Sequence, residues 1–597
     1  MTEYIAPIEE ISFVINEIAG IREINELSTG DETPPDLISA ILEEAGKFSS
    51  EVLAPINRKG DIDGSIIENG VVRTPEGFKS AYEKFIASGW NGMPFDEKYG
   101  GQGLPWLLST AVSEMVQSAN LSFSLCPLLT QGAIELLKSH GTDDLKHIFL
   151  KKMVSGQWNG TMNLTEPQAG TDLAQIRTKA RKKDDHYRIF GTKIYITYGE
   201  HDLTDNIVHM VLARINGAPP GIKGISLFLV PKYLVNEDGS LGQRNDVRAV
   251  SLEHKLGIKA SPTAVMSYGD NEGAVGYLVG EENQGIQCMF TMMNNARLAI
   301  GLTGVAIAER SYQKAKTFAA ERIQSPPVET KNAEPVPIIQ HPDVKRMLLS
   351  MKSQTEASRL LVYYVAGKLD ISKRHPDFTK RREAQVLVDL LIPVVKAWSS
   401  DIGNEVANTS IQVHGGMGYI EESGVPQLLR DSRIAAIYEG TNGIQANDLV
   451  GRKLSIEEGL GINSLITLMQ GSLENNRSRN DINLETMNTQ LEQAIEGLSS
   501  ATQWILETAK ISKKEVAAIS VPYLRLLGIV CGGWLLIESA MKACEPANNS
   551  EINAEFKRKK LLSAKFFSQN FLVQVESLVQ TVTSAGETIC TSSLNDF

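Results

Sequence analysis

Hydrophobic and polar positions along the chain change period more than once, and each change marks a block. From about Pro35 to Gly156 apolar residues recur at helical spacing, with Leu37, Ile38, Ile41 and Leu42 on one face and Leu108, Val112, Met115 and Val116 on another. Residues three and four apart stack on one side of a helix, so this block predicts an all-α domain. From Trp158 to about Leu278 the pattern shortens to apolar runs at 186–190 and 225–230 separated by Gly, Asn and Asp. Such runs predict a β domain, built as a small barrel or sandwich. Long helical patterns return from Glu282 to Arg452, including Met289 to Glu321 and Pro342 to Ala366, and a further helical block fills the remainder. Residues 325–337 carry four prolines, which cannot propagate a helix, so a surface loop is expected there. The polar run 474–481 predicts a connector between packed helices. The division that follows is an N-terminal extension over 1–34, an α-helical domain over 35–157, a β domain over 158–281, a helical domain over 282–452 and a further helical domain over 453–597.

Composition narrows the function classes. A chain of 597 residues, 42% hydrophobic, is too long for one core and ample for a large buried ligand. Its net charge of -12 and pI near 5.5 argue against nucleic acid as a partner, which calls for a basic face. The five cysteines are scattered, without a Cys-x-x-Cys pair or clustered histidines, which points to a reducing compartment and to no metal site. The acidic start Met1 to Glu10 has no basic, then apolar, leader pattern, and the last residues match no peroxisomal address, so a cytoplasmic enzyme is expected. The apolar stretch from Leu526 to Ala540, interrupted by three glycines and Glu538, falls short of a membrane span and predicts a buried helix without stable membrane insertion. Lys557, Arg558, Lys559 and Lys560 stand among apolar residues, and the expected role is the solvated face of a packed helix, with a membrane-surface helix as the alternative.

Candidate chemistry concentrates in the loop 437–445, where Glu439 precedes Gly440, Thr441 and Asn442, with Gly443 following. A carboxylate shielded from water becomes a stronger base, and a glycine-rich loop lets a ligand approach closely. The plainer reading is a turn between helices with an exposed Glu439. Four further segments bear on the choice: Met162 to Asp172, Lys193 to Gly199, Gly257 to Thr263, and Ile411 to Tyr419. The first offers hydroxyls, free amides and a glycine turn, hydrogen-bonding groups that need no cationic side chain.

Taken in this order and spacing, the segments resemble those of the acyl-CoA dehydrogenases over roughly Leu37 to Arg452. The resemblance implies an α+β fold with an N-terminal all-α domain, a middle β-barrel or sandwich domain and a C-terminal four-helix bundle, here extended by another helical domain. It also implies FAD-dependent α,β-dehydrogenation of an acyl-CoA to the trans-2-enoyl-CoA. Glu439 then corresponds to the base for the α proton, with the flavin N5 as hydride acceptor and the Glu439 backbone N–H helping to polarise the thioester carbonyl. Residues matching cofactor-binding positions are Met162, Leu164, Thr165, Thr171, Tyr195 (where the family usually has Trp), Thr197, Gly440 and Thr441. Arg322, Gln412 and Gly416 match positions that reach the FAD of a neighbouring subunit, which implies a homodimer or homotetramer. Thr171, Asn294, Asn295 and Arg297 match substrate-binding positions, with an exposed helix-face ion pair as the alternative for Arg297. Ile323, Gln324 and Ser325, and Gly443, depart from the family pattern.

The N-terminal residues, the proline-rich insert and the long C-terminal block resemble a longer bacterial subgroup that includes 3-methylmercaptopropionyl-CoA dehydrogenases. An electron-transfer flavoprotein is the expected electron acceptor. The alternatives are an acyl-CoA oxidase using oxygen, a non-catalytic flavoprotein scaffold and a nucleic-acid-binding relative; retention of Glu439 weighs against the scaffold.

Overall fold

A computed structural model describes residues 4–26, 33–330, 333–478, 482–545 and 553–597. Its contacts divide the chain into two units: Met1–Ala6, Glu44–Pro105 and Met115–Ala299 form the first, and Pro7–Glu43, Trp106–Glu114 and Ile300–Phe597 the second. The fold is α+β, with helices before and after a β domain.

In the first unit, the helix Leu121–His140 is capped by the Asn120 side chain, which accepts from the Phe123 N–H, and is buried on every side from Leu121 to Leu137. It packs on the β domain through Gly160, where a Cβ would come within 2.5 Å of Ala133. The strands are β1 (Ile66–Glu68), β2 (Val71–Arg73), β3 (Trp158–Asn163), β4 (Lys179–Lys183), β5 (His186–Thr197), β6 (Asn206–Ile215), β7 (Ile225–Pro231), β8 (Tyr233–Val235), β9 (Leu241–Arg244), β10 (Val247–Leu252), β11 (Thr263–Tyr268) and β12 (Ala274–Val279). Their order β10-β11-β5-β12-β7-β6-β3, with β4 pairing both β5 and β6, closes β5, β12, β7, β6 and β4 into a barrel. Ile189, Val211, Phe228, Val230 and Met266 fill the core. The hairpin of β1 and β2 corrects the all-α expectation for this region. Asn69 and Gly70 both adopt positive φ (51° and 77°), as a two-residue hairpin turn of this hand requires.

The second unit is helical. Long helices Pro342–Arg374 and Phe378–His414, with the part of Gly285–Glu321 from Ile300 onward, carry the shorter Val425–Ser432 and Asn442–Asp448, and Leu460–Ser478, Ile482–Thr508, Ser520–Cys544 and Ala554–Asn570 follow. Buried Arg359 joins three helices by donating to Glu114 and Glu309, while the Tyr363 hydroxyl donates to Glu114. The helix Ser520–Cys544 is longer than the apolar stretch 526–540 alone: it has 25 residues and is long and apolar enough to cross a membrane, yet 83% of its most apolar window is buried. Its glycines are packing positions that do not interrupt it. A Cβ at Gly528 or Gly532 would come within 2.4 Å of the Trp398 ring, and one at Gly533 within 2.5 Å of Leu572.

Three smaller expectations also change. Leu37 is 42% exposed while Ile38 and Leu42 are buried, so its stripe is narrower than the sequence suggested. Residues 474–478 continue a helix, because Asn476 turns inward to donate to Glu538; residues 479–481 lie outside the described set. Lys560 is not solvated: it is 2% exposed, pairs with Glu10 and Glu356, and lies over the Phe13 and Phe556 rings.

Candidate active site

In the first unit, β3 runs into the loop of Leu164 and Thr165, which is fastened to β5. The Ile194 N–H donates to the Thr165 carbonyl (2.9 Å), and the Lys193 ammonium donates to the Leu164 carbonyl (2.8 Å) and to Glu166 (2.9 Å). Glu166 and Ala169 exchange backbone hydrogen bonds across Pro167-Gln168, closing a tight turn. The Glu166 carboxylate also accepts from Gln168, the Arg177 N–H, and the Thr178 N–H and hydroxyl. Burial raises this carboxyl, but the Lys193 ammonium and the hydrogen bonds from Thr178 and Arg177 overcome it and hold it at about 2. Burial brings Lys193 down to about 8 against the opposing pull of Glu166, so both partners are charged at neutral pH.

The residues matched to the flavin lie along these two segments. Met162, Leu164 and Thr165 are half-buried. The Thr197 carbonyl accepts the Thr161 hydroxyl at 2.6 Å, which ties β5 to β3. Tyr195 is 61% exposed with φ 62°, because the pairing of β5 with β11 shifts register beside it and the bulge turns its ring outward. An exposed aromatic ring beside half-buried hydroxyls and apolar side chains is a donor set that fits an isoalloxazine. Thr171 is exposed further along the loop, before the short turn Leu173–Gln175 that Asp172 caps. Asn294 and Asn295 are half-buried on the helix Gly285–Glu321, and Arg297 is 5% exposed, which rules out the exposed ion-pair alternative.

In the second unit, Glu439 is half-buried between short helical turns and the helix Asn442–Asp448. It and Gly440 are both left-handed, at φ 55° and 83°. Such a conformation is costly for a glutamate and free for a glycine. The Gln445 amide donates to the carbonyls of Glu439 (3.2 Å) and Gly440 (3.3 Å). Lys396 donates to the Gly440 carbonyl (2.8 Å) and to Asn442 (2.9 Å). The Thr441 hydroxyl oxygen caps the following helix by accepting the Ile444 N–H. Burial, and then the Glu439 carboxylate, push the Tyr438 phenol well above its ordinary value.

Arg322, Gln412 and Gly416 are exposed and come together at the ends of two helices. The Arg322 guanidinium lies 5.2 Å over Phe318, whose ring stacks on His414 at 4.4 Å, and Gln412 and Gly416 flank that histidine. Lys193, Glu166, Lys396 and Gln445 were not singled out from the sequence. Lys396 had a readable mark, being the one charge in the apolar run 390–398.

Comparison with known proteins points to one family over most of the chain. Family models for the N-terminal, middle and C-terminal domains of acyl-CoA dehydrogenases match residues 36–157, 161–270 and 283–454. A model described as "Acetyl-CoA dehydrogenase C-terminal like" matches 465–592. A 3-methylmercaptopropionyl-CoA dehydrogenase from Ruegeria pomeroyi is 46% identical over 99% of this chain and 100% of its own. The crystal structure of ACDH-11 from Caenorhabditis elegans in complex with C11-CoA superposes with a TM-score of 0.76 at 20% identity, over 96% of this chain and 94% of that one. An acyl-CoA dehydrogenase from Bacillus anthracis complexed with FAD does so at 0.72 and 21% identity, over 98% and 93%.

Proposed function

Since the chain belongs to the acyl-CoA dehydrogenase family, we propose that Glu439 is the base that removes the α proton of an acyl-CoA thioester, giving the trans-2-enoyl-CoA. The observation that carries this is the Glu439 turn itself: a half-buried carboxylate on a strained left-handed residue whose loop carbonyls are tied back by Gln445 and Lys396. The Glu439 backbone N–H polarises the thioester carbonyl as charge develops on it. Asn294, Asn295 and Arg297 hold the substrate, and Thr171 serves the phosphate end.

Met162, Leu164, Thr165, Tyr195 and Thr197, with Gly440 and Thr441, would hold FAD. Bound there, FAD supplies the acceptor for the hydride leaving the β carbon. Arg322, Gln412 and Gly416 serve the cofactor of a neighbouring copy, so the active form is a homodimer or homotetramer. Electrons then pass to an electron-transfer flavoprotein. The Ruegeria relative makes a short acyl chain bearing a thioether the first substrate to try.

The test is anaerobic bleaching of the purified protein by acyl-CoAs of graded length and branching, the thioether included. The protein is expected to be yellow and to bleach fastest with one member of the series. A colourless protein, or one that no acyl-CoA bleaches, overturns the proposal.

A further inference from the structure

The helix Phe378–His414 presents to the Glu439 loop a polar patch set in an otherwise apolar stretch. Over residues 390–398 every position except Lys396 is apolar, and Lys396 is 0% exposed. A cation there is expensive unless its donors are met, and two partners identified for it are both on the loop. Its ammonium donates to the Gly440 carbonyl at 2.8 Å and to Asn442 Oδ1 at 2.9 Å.

An ammonium has no acceptor, so the Asn442 amide can be placed only with its oxygen towards Lys396. Its NH₂ group then points to the Ala397 carbonyl (3.1 Å) and Asp401 Oδ1 (2.7 Å), both on the same helix. The loop is thus pinned at two successive points, Gly440 and Asn442, to residues 396–401. This matters because Glu439 and Gly440 both sit at positive φ. A strained glutamate keeps such a conformation only while its surroundings over-determine it, and without the Lys396 donor at 2.8 Å the Gly440 carbonyl keeps the longer contact from Gln445 (3.3 Å), so the turn is held less tightly and can relax towards ordinary backbone.

We propose that Lys396 is a positioning residue for the reaction: its buried ammonium, acting through the Gly440 carbonyl and Asn442, fixes the turn from which Glu439 reaches the substrate. The inference rests on the reading of Glu439 as the base. The alternative is a lysine that only stabilises the fold, and the two differ in what is lost per correctly folded, flavin-loaded molecule.

The experiment compares Lys396→Met, Lys396→Arg, Asn442→Ala and a Glu439→Gln control by anaerobic stopped-flow bleaching with the best acyl-CoA of the graded series. Flavin content and melting temperature are measured alongside. Lys396→Met is expected to bleach at least about tenfold more slowly per bound flavin, since small misplacements of a reacting group cost one to two decades of rate. The half-saturating acyl-CoA concentration should change much less, and Lys396→Arg should recover part of the rate. If Lys396→Met does not fold, Asn442→Ala removes the second pin from the loop itself and should show the same split. The proposal is overturned if the folded variant bleaches at the wild-type rate per flavin while only its melting temperature falls. A Glu439→Gln control that bleaches at the wild-type rate sinks the base assignment first and this inference with it; a silent control beside an unaffected Lys396→Met sinks this inference alone.

Discussion

Lys193→Met removes a buried cation from beside Glu166 while keeping most of the side-chain volume, and so isolates the pair that fastens the loop of Leu164 and Thr165 to β5. The Glu166 carboxyl is held at about 2 in the fold against its ordinary 4.5. At about 1.4 kcal/mol per pH unit that gap is worth about 3 kcal/mol, the net of burial against the Lys193 ammonium and the Thr178 and Arg177 donors together, and Glu166 is only 4% exposed, so solvent screens little of it. Breaking a buried pair by deleting one partner costs about 3–5 kcal/mol, in the same range, because the remaining charge is left without its counterpart. The Arg177 and Thr178 N–H groups donate to Glu166, and the Ile194 N–H donates to Thr165, so their exchange with deuterium reports the loop directly. A loss of about 3 kcal/mol corresponds to about 10²-fold faster exchange at these amides. The double variant Lys193→Met with Glu166→Gln should recover most of the protection, since it leaves no unpaired buried charge. Exchange at residues 177, 178 and 194 that stays at the wild-type rate in Lys193→Met would mean that the pair does not fasten this loop.

The same pair sets an acid limb: a carboxyl whose folded value lies below its unfolded one contributes stability above pH 4.5 that is lost as pH falls through about 2, so wild-type protection of this loop should decline across that window. Trp398→Ala empties the groove between Gly528 and Gly532 and should cost about 3–5 kcal/mol, read as a lower melting temperature; an unchanged melting curve contradicts that packing. Arg322→Ala should reduce the flavin bound per subunit without changing the oligomer's mass by light scattering, and full flavin occupancy would argue against its cofactor role. Reduced enzyme should pass electrons to an electron-transfer flavoprotein and make peroxide only slowly in air; rapid peroxide formation would favour the oxidase alternative.

The parts of the molecule legible in the sequence are those where a local pattern and a tertiary role coincide. Helical spacing from Met289 to Glu321 and from Pro342 to Ala366 became long helices whose apolar positions, such as Val305, Ala308, Leu360 and Val365, are buried. Glu439 was legible because a carboxylate among Gly440, Thr441 and Gly443 is locally unusual. Residues whose role depends on distant partners were not. Lys193 meets Glu166 across 27 positions, and Lys396 meets Gly440 across 44. Lys560 read as one of four surface cations until folding placed Glu10 and Glu356 against it. The Tyr195 bulge is likewise a matter of register between β5 and β11, which alternation within a single strand does not encode. Asn69-Gly70 is a different case: the turn signal was present, in a block dominated by helical spacing.

The central claim is that Glu439 takes the α proton. Glu439→Gln keeps the size and shape of the side chain and removes its basicity, so anaerobic bleaching by the best acyl-CoA substrate measures that claim most directly. Wild-type flavin content is expected, with bleaching slowed by at least about 10²-fold, the lower end of what a general base contributes. Bleaching of Glu439→Gln at the wild-type rate would contradict that claim.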